Sequence, residues 1–346
     1  MIAAVMEALH QPLVVRQVPD PTPTPDGAVI RVAANGVCRS DWHAWVGDVR
    51  VGLPHVLGHE FTGVVEAVGP EVRTHRPGDR VIVPFSQGDG SCEMCRSGHE
   101  NVCEHVHLVG FTSWGGYAEY VAVPRADANL VRLPEGVGFV EGASMGCRFM
   151  TSFHGLVDQA QLRAGEWVAV HGCGGIGLAA IHIATALGAS VVAVDISPAA
   201  LELARELGAV ATVNARDGDA AKAVRELTGG GAHVSVDALG IAATCRASVS
   251  SLRTRGRHLQ VGLATQDNQG QVALPISLIV TRELQLLGTF GMQASRYPEM
   301  MRMVSRGQLH PGQLVTGTIP LSGASDVLAA MDQFATVGVT VIDRFA

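Results

Sequence analysis

The chain has 346 residues, of which 47% are hydrophobic and 16% charged, and a formal net charge of −7. That is longer than one typical domain and far too apolar for a disordered chain, so two hydrophobic cores are expected. The acidic balance leaves no basic stripe to neutralise phosphates, which excludes nucleic acid as the expected partner and makes a soluble enzyme the default reading.

Residues 1–7 carry no basic segment and reach Glu7 before any long apolar run, so no secretory signal is read. The most membrane-like stretch, 167–194, is broken by His171, Gly172, Gly174, Gly175, Gly177 and His182, which suits a strand, a tight turn and a helix better than a membrane span. Seven cysteines, an odd number, point to a cytoplasmic protein that uses thiols as ligands rather than in disulfides. The only lysine is Lys222, which argues against Schiff-base chemistry and a Walker-type phosphate loop.

In chain order, residues 1–35 read as strands joined by a proline-rich turn at 19–27, with Val29-Ile30-Arg31-Val32 alternating as a half-buried strand does. The β pattern continues through 61–83 and 115–123, with turn signals at Gly69-Pro70 and Pro77-Gly78-Asp79, so a compact β-rich domain is expected over 1–150. From 151 to 290 strands and helices alternate. Strands are expected at 167–171, 190–195, 211–214, 233–237, 257–261 and 284–289, with helices at 176–187, 198–207, 220–228 and 242–252. That alternation makes the fold class α/β, with a doubly wound parallel sheet. Helical periodicity at 298–304 and 326–334 belongs to a tail, 291–346, expected to complete the first domain.

Two stretches carry chemistry. Cys38-Arg39-Ser40-Asp41-Trp42-His43 combines a soft metal ligand, a hydroxyl able to carry a proton and an imidazole able to pass it on. His171-Gly172-Cys173-Gly174-Gly175-Ile176-Gly177 follows one strand and opens a helix, with glycines at the positions of GxGxxG. Asp195 ends the next strand, where a carboxylate can accept from both ribose hydroxyls of NAD and repel a 2′-phosphate, and no basic residue follows in 196–199. His59, with Glu60 beside it, and Cys147 could join Cys38 in a Cys₂His set with an open fourth position. Cys173 and Cys245 read as small buried hydrophobes.

Taken in order, Cys38-Arg39-Ser40-Asp41-xxx-His43, Gly58-His59-Glu60-xxx-xxx-Gly63, Gly78-Asp79-Arg80-Val81, Cys147-xxx-Phe149-xxx-Thr151 and the glycine loop resemble the zinc-containing medium-chain alcohol dehydrogenases over nearly the full length. The resemblance implies a GroES-like catalytic domain (1–150, completed by 291–346), a Rossmann NAD-binding domain (151–290), and an active site in the cleft between them. By the same resemblance, Cys38, His59 and Cys147 hold the catalytic zinc, and Glu60 can approach it during ligand exchange. Ser40 and His43 form a proton relay, Asp41 supports the zinc site, and Arg39 contacts the pyrophosphate. Thr151, Val261, Gly262 and Phe290 flank the nicotinamide, and Leu239 lies near the adenosine.

The family often carries a second, structural zinc on four cysteines. Here Asp89 stands where the first would be, followed by Cys92, Cys95 and Cys103, so an AspCys₃ zinc site is expected, with His99, His105 and His107 as rival ligands. The function implied is reversible hydride transfer between an alcohol and NAD. Phe85, Trp114 and Ser40 would line an apolar pocket, while Trp42 and Trp45 could equally be core. An NAD-dependent polyol or sugar dehydrogenase is the runner-up, and a non-catalytic NAD-binding redox sensor a more distant alternative. A zinc-free quinone or enoyl reductase would have no need of Cys38, His59 and Cys147. A homodimer or homotetramer is implied, with 276–289 either its contact surface or sheet core.

Overall fold

The computed structural model describes residues 1–264, 270–332 and 336–345. It divides into two units, Met1–Met150 with Gly291–Ala346, and Thr151–Phe290.

The first unit is built on strand Ala28–Val37, buried along most of its length. It pairs antiparallel with Glu60–Val68, Tyr120–Val123 and Val339–Arg344, so the C-terminal tail is hydrogen-bonded into the centre of the N-terminal sheet. The seven-stranded sheet runs Val131–Arg132, Arg80–Ile82, Glu60–Val68, Ala28–Val37, Val339–Arg344, Val315–Pro320, with Tyr120–Val123 attached to the central strand. One register pair matters for chemistry: Gly36 lies opposite Glu60, which brings Cys38 and His59 to the same end of the sheet. A three-stranded sheet of Val14–Gln17, Ile2–Met6 and His55–Val56 closes an apolar cluster in which Trp42 and Trp45 are buried. The two tryptophans are therefore core residues, and their role as pocket lining is not supported.

The second unit is a six-stranded parallel sheet in the order Ala211–Asn214, Ser190–Asp195, Trp167–His171, Ala232–Asp237, Leu252–Gln260, Gln285–Gly288. Helices Gly175–Ala186, Pro198–Glu206, Ala220–Leu227, Ala242–Ser250 and Ile276–Thr281 fall between the strands. Central strands covered on both faces need continuous apolar runs, and Val168-Ala169-Val170 and Val191-Val192-Ala193 are completely buried. The fifth strand starts at Leu252 rather than 257. Leu252, expected to end a helix, begins the strand instead, with Arg255 at positive φ and a register shift between Ala232 and Val234 on its neighbour. The helix expected at 326–334 is Ala324–Asp332, and its last two expected residues lie outside the described set.

Several polar residues are sealed into this sheet, His171 among them. His171 is fully buried, meets Ser251 Oγ at 3.3 Å, and has its pKa pushed down to about 3 by burial, with His258 adding repulsion. A histidine whose pKa falls from 6.5 on folding contributes stability that is complete above pH 6.5 and is lost as the pH drops toward 3. Its share of that loss between pH 7 and pH 5 is about 2 kcal/mol. Replacing it, as His171→Gln, should flatten the acid side of the stability curve by that amount, read as urea midpoints at the two pH values.

Candidate metal and dinucleotide sites

The metal-binding candidate is assembled around one helix. Cys38 caps Arg39–Val46, Asp41 in its first turn accepts the Cys38 backbone N–H at 2.9 Å, and Gly47 ends it at φ 90°. The cap serves a second purpose. Asp41 Oδ1 also accepts Gly58 N at 3.0 Å and His59 Nδ1 at 2.9 Å, while Oδ2 accepts the Tyr117 hydroxyl at 3.1 Å. Because a carboxylate can only accept, His59 carries its proton on Nδ1, and its Nε2 lone pair is free to bind. That Nε2 is buried with no hydrogen-bond partner, which is costly for a polar atom unless something else binds it.

The partners it faces are soft and close. The ligand atoms of Cys38, His59, Glu60 and Cys147 all lie within 4.8 Å of one another, and all four residues are buried. Cys147 is carried on a π-helical turn, Met145–Phe149, a distortion that often accompanies functional positions. The hydrogen bond from Cys147, with Arg148 and His59 close by, holds the Cys38 thiol well below its ordinary pKa, while the same bond and burial raise Cys147. Burial opposes charge on His59, but Asp41 and Cys38 outweigh it and raise its pKa, so a metal binding at Nε2 would displace a proton. Two thiols, an unpartnered imidazole and a carboxylate at this spacing fit a divalent zinc ion.

Arg148 was not anticipated from the sequence, although an arginine inside the apolar run Met145–Phe149 was a visible signal. It is buried and grips Glu60 through Nε at 2.9 Å and through Nη2, which also donates to Val37 O at 3.1 Å. Burial pushes Glu60 up to about 7 against the pull of Arg148. Glu60 thus belongs to an ion pair as well as to the ligand cluster. Tyr117 and Phe111 were also missed. The Phe85 ring stands edge-on to His59 with centroids 5.7 Å apart, and Phe111 lies at 4.9 Å. Trp114, like Phe111, packs against the cluster that holds Trp42 and Trp45.

Ser40 Oγ lies 3.9 Å from Cys38 Sγ, and His43 Nδ1 meets Asp48 Oδ2 at 2.8 Å. The guanidinium of Arg39 lies over the Trp42 ring at 3.6 Å and donates to Met331 O.

A second cluster joins Asp89, Cys92, Cys95 and Cys103, again within 4.8 Å. Of the rival histidines, His105 does not replace Asp89 but bonds to it, Nδ1 to Oδ2 at 2.9 Å. His99 pairs with Ser97, and His107 with Thr112 and Ser113. Asp89 Oδ1 accepts from Ser91 N and Cys92 N, which hold its carboxyl far below the usual range.

In the second unit, Gly172 has φ 92° and Gly177 packs so tightly that a Cβ there would sit 1.8 Å from Gly172 O. Gly174, the N-cap of Gly175–Ala186, is open: a Cβ would meet no atom within 4 Å, which leaves its backbone free to approach a pyrophosphate. Asp195 Oδ2 accepts Cys173 N at 2.6 Å, and Oδ1 accepts Ile196 N and Ser197 N, so the acid is locked beside the glycine loop. Thr151 is buried, whereas Leu239 and Phe290 are exposed. Val261 N and Gly262 N both donate to Asp237 O. Cys173 is buried, with its thiol raised by burial, as expected of an inert cysteine. Cys245 does have a polar partner, Gln260 Oε1 at 3.2 Å, and is more than a hydrophobe.

Residues 24–135 match the alcohol dehydrogenase GroES-like domain, and residues 175–306 match the zinc-binding dehydrogenase domain. An alcohol dehydrogenase of Geobacillus stearothermophilus is 35% identical over 335 residues, 96% of each chain. The chain belongs to the zinc-binding medium-chain alcohol dehydrogenase family. An NAD-dependent alcohol dehydrogenase of Sulfurisphaera tokodaii is 33% identical and aligns with 96% of this chain and 97% of its own. The solved alcohol dehydrogenase from Thermus sp. ATN1 superposes with a TM-score of 0.92 at 32% identity, covering 100% of both chains. As a zinc-binding dehydrogenase with two candidate metal clusters, the purified chain should hold two zinc ions by elemental analysis. Asp89→Ala should lower that to one while leaving Cys38, His59 and Cys147 loaded.

Proposed function

We propose that this chain reversibly oxidises apolar primary or secondary alcohols to aldehydes or ketones, reducing NAD⁺ to NADH and releasing one proton. The observation that carries the reading is the unpartnered, buried Nε2 of His59 set among Cys38, Cys147 and Glu60. When bound, zinc on Cys38, His59 and Cys147 would supply Lewis-acid polarisation of an alcohol oxygen, and NAD would accept the hydride.

The chain's own residues have separate tasks. Asp41 keeps the His59 ring and its tautomer in place. Ser40 and His43, three residues apart on one helix, share a face and form a path for the proton. Ser40 Oγ receives it from the substrate hydroxyl. His43, whose Nδ1 is engaged with Asp48, receives it on Nε2 and delivers it to solvent. Phe85 and Phe111 against the His59 ring favour an apolar or aromatic substrate over a polyol. Asp195, followed by Ile196-Ser197-Pro198 and no base, favours NAD over NADP. Seven free cysteines suit a reducing cytoplasm, and no described helix is long and apolar enough to cross a membrane.

A second copy of the chain is the expected partner. Helix Ile276–Thr281 has no buried residue, Ile276 and Val280 are more than 60% exposed, and the adjacent strand Gln285–Gly288 is the last in its sheet. An apolar sheet edge of this kind is stable in water when paired. Val280→Asp should shift the sedimenting species toward monomer, and an unchanged sedimentation profile would place the contact elsewhere.

Activity is tested by NADH formation, read by absorbance, across primary, secondary, benzylic and polyol substrates. Apolar alcohols should be turned over fastest. Cys38→Ser and His59→Ala should abolish turnover, while His43→Ala should slow it roughly 10–100-fold, because solvent can stand in for the outer end of a relay. A polyol-only profile would shift the assignment to a polyol dehydrogenase.

A further inference from the structure

Strands buried on both faces of a parallel sheet ordinarily carry Val, Ile or Leu. The fifth strand of the second unit departs from this. It places His258 and Gln260 where apolar side chains would be expected, and their polar atoms join a hydrogen-bonded network that includes a fully buried carboxylate, Asp237.

Gln260 is saturated. Its Nε2 donates to Asp237 Oδ2 at 2.9 Å and to Gly262 O at 2.7 Å, and its Oε1 accepts from His258 Nε2 at 3.0 Å and from Cys245 Sγ at 3.2 Å. The amide cannot be turned over, because its oxygen would then face a carboxylate and a carbonyl. The His258 tautomer follows: its Nε2 donates, and its Nδ1 accepts from Ser248 Oγ at 3.0 Å and Ser235 Oγ at 3.3 Å. At the other end, Asp237 Oδ1 accepts Leu239 N, Gly240 N and the Thr244 hydroxyl. Gln260 therefore ties the turn after one strand, 238–240, to the turn after the next, 261–263. The two turns touch so closely that a Cβ on Gly262 would lie 2.2 Å from Gly240 N.

The sheet order gives these turns their significance. Trp167–His171 and Ala232–Asp237 are neighbours, but the chain leaves them in opposite directions, so the switch point of the sheet lies between them. The glycine loop and Asp195 are on one side of it and take the adenosine half of a dinucleotide. The other half then falls to the turn after Gln260, which is braced against the turn after Asp237, because dinucleotides lie across the switch point at the carboxyl ends of the strands.

We propose that Gln260, oriented by His258, is a positioning residue that holds the turn 261–263 against the turn 238–240 and so sets it to receive the nicotinamide half of the cofactor. This rests on the dinucleotide reading above and adds a residue that touches no cofactor itself.

The test is calorimetric titration of the full-length, zinc-loaded chain with NAD and, separately, with ADP-ribose, which lacks the nicotinamide ring. Gln260→Leu removes every hydrogen bond of the amide. Gln260→Met, closer in length, is read in parallel in case the leucine variant does not fold. The expected result is an NAD dissociation constant raised about tenfold more than that of ADP-ribose, so that most of the affinity owed to the nicotinamide ring is lost. The inference is overturned if NAD binding stays within twofold of the parent, or if both ligands weaken by the same factor, as general loosening of the sheet would cause. A parent chain that binds neither ligand would instead overturn the dinucleotide reading, and this inference with it.

Discussion

The first unit turns on a single carboxylate. Asp41 is fully buried and accepts four hydrogen bonds, from Cys38 N, Gly58 N, His59 Nδ1 and the Tyr117 hydroxyl. An uncompensated buried charge costs several kcal/mol, so each donor is under pressure to stay in place. Two of them belong to the backbone or ring of candidate zinc ligands. The same interaction that satisfies the acid thus fixes the helix cap under Cys38, the turn before His59 and the tautomer that leaves Nε2 available.

A second buried charge pair sits beside it. Arg148 holds Glu60 with its guanidinium while Cys147, its chain neighbour, faces the cluster. Removing either partner of such a pair typically costs about 3–5 kcal/mol, because the other is left charged in an apolar setting. The carboxylate is therefore near enough to join the ligand cluster and held by a cation at the same time. In the proposed zinc site that restraint would leave two thiols and an imidazole as the ligands, a set that keeps a fourth coordination position open.

The second unit handles buried polarity differently. Its strands Trp167–His171, Ser190–Asp195 and Ala232–Asp237 are mostly Val and Ala, yet a chain of neutral groups, Ser235, Ser248, His258, Gln260 and Cys245, leads to the buried acid Asp237 and ends at two turns at the carboxyl ends of neighbouring strands. Fully satisfied networks of this kind rigidify their surroundings, whereas partly satisfied ones are costly. Asp195 does comparable work on the other side of the switch point, locked by three backbone amides next to an open glycine turn.

Much of this was legible in the chain. Short apolar runs placed five of the six parallel strands to within a residue at each end, because a strand covered on both faces must be apolar and its flanking turns rich in glycine. Glycine spacing marked the dinucleotide loop because only a side chain of that size leaves room at Gly177. Cys38, His59, Cys147 and the Asp89 lobe could be named because soft donors in a fixed order are rare. Three-dimensional contact decided the rest. Arg148, Tyr117, Phe111 and Gln260 owe their importance to partners that lie far away in sequence or across strands, and nothing local distinguishes such a residue from ordinary core. Trp42 and Trp45 show the converse: composition made them candidates for a pocket, and packing against the three-stranded sheet made them core. Residue type and spacing determine which chemistry is available. Burial and hydrogen-bond partners, which depend on the whole fold, decide which atoms are left free to perform it.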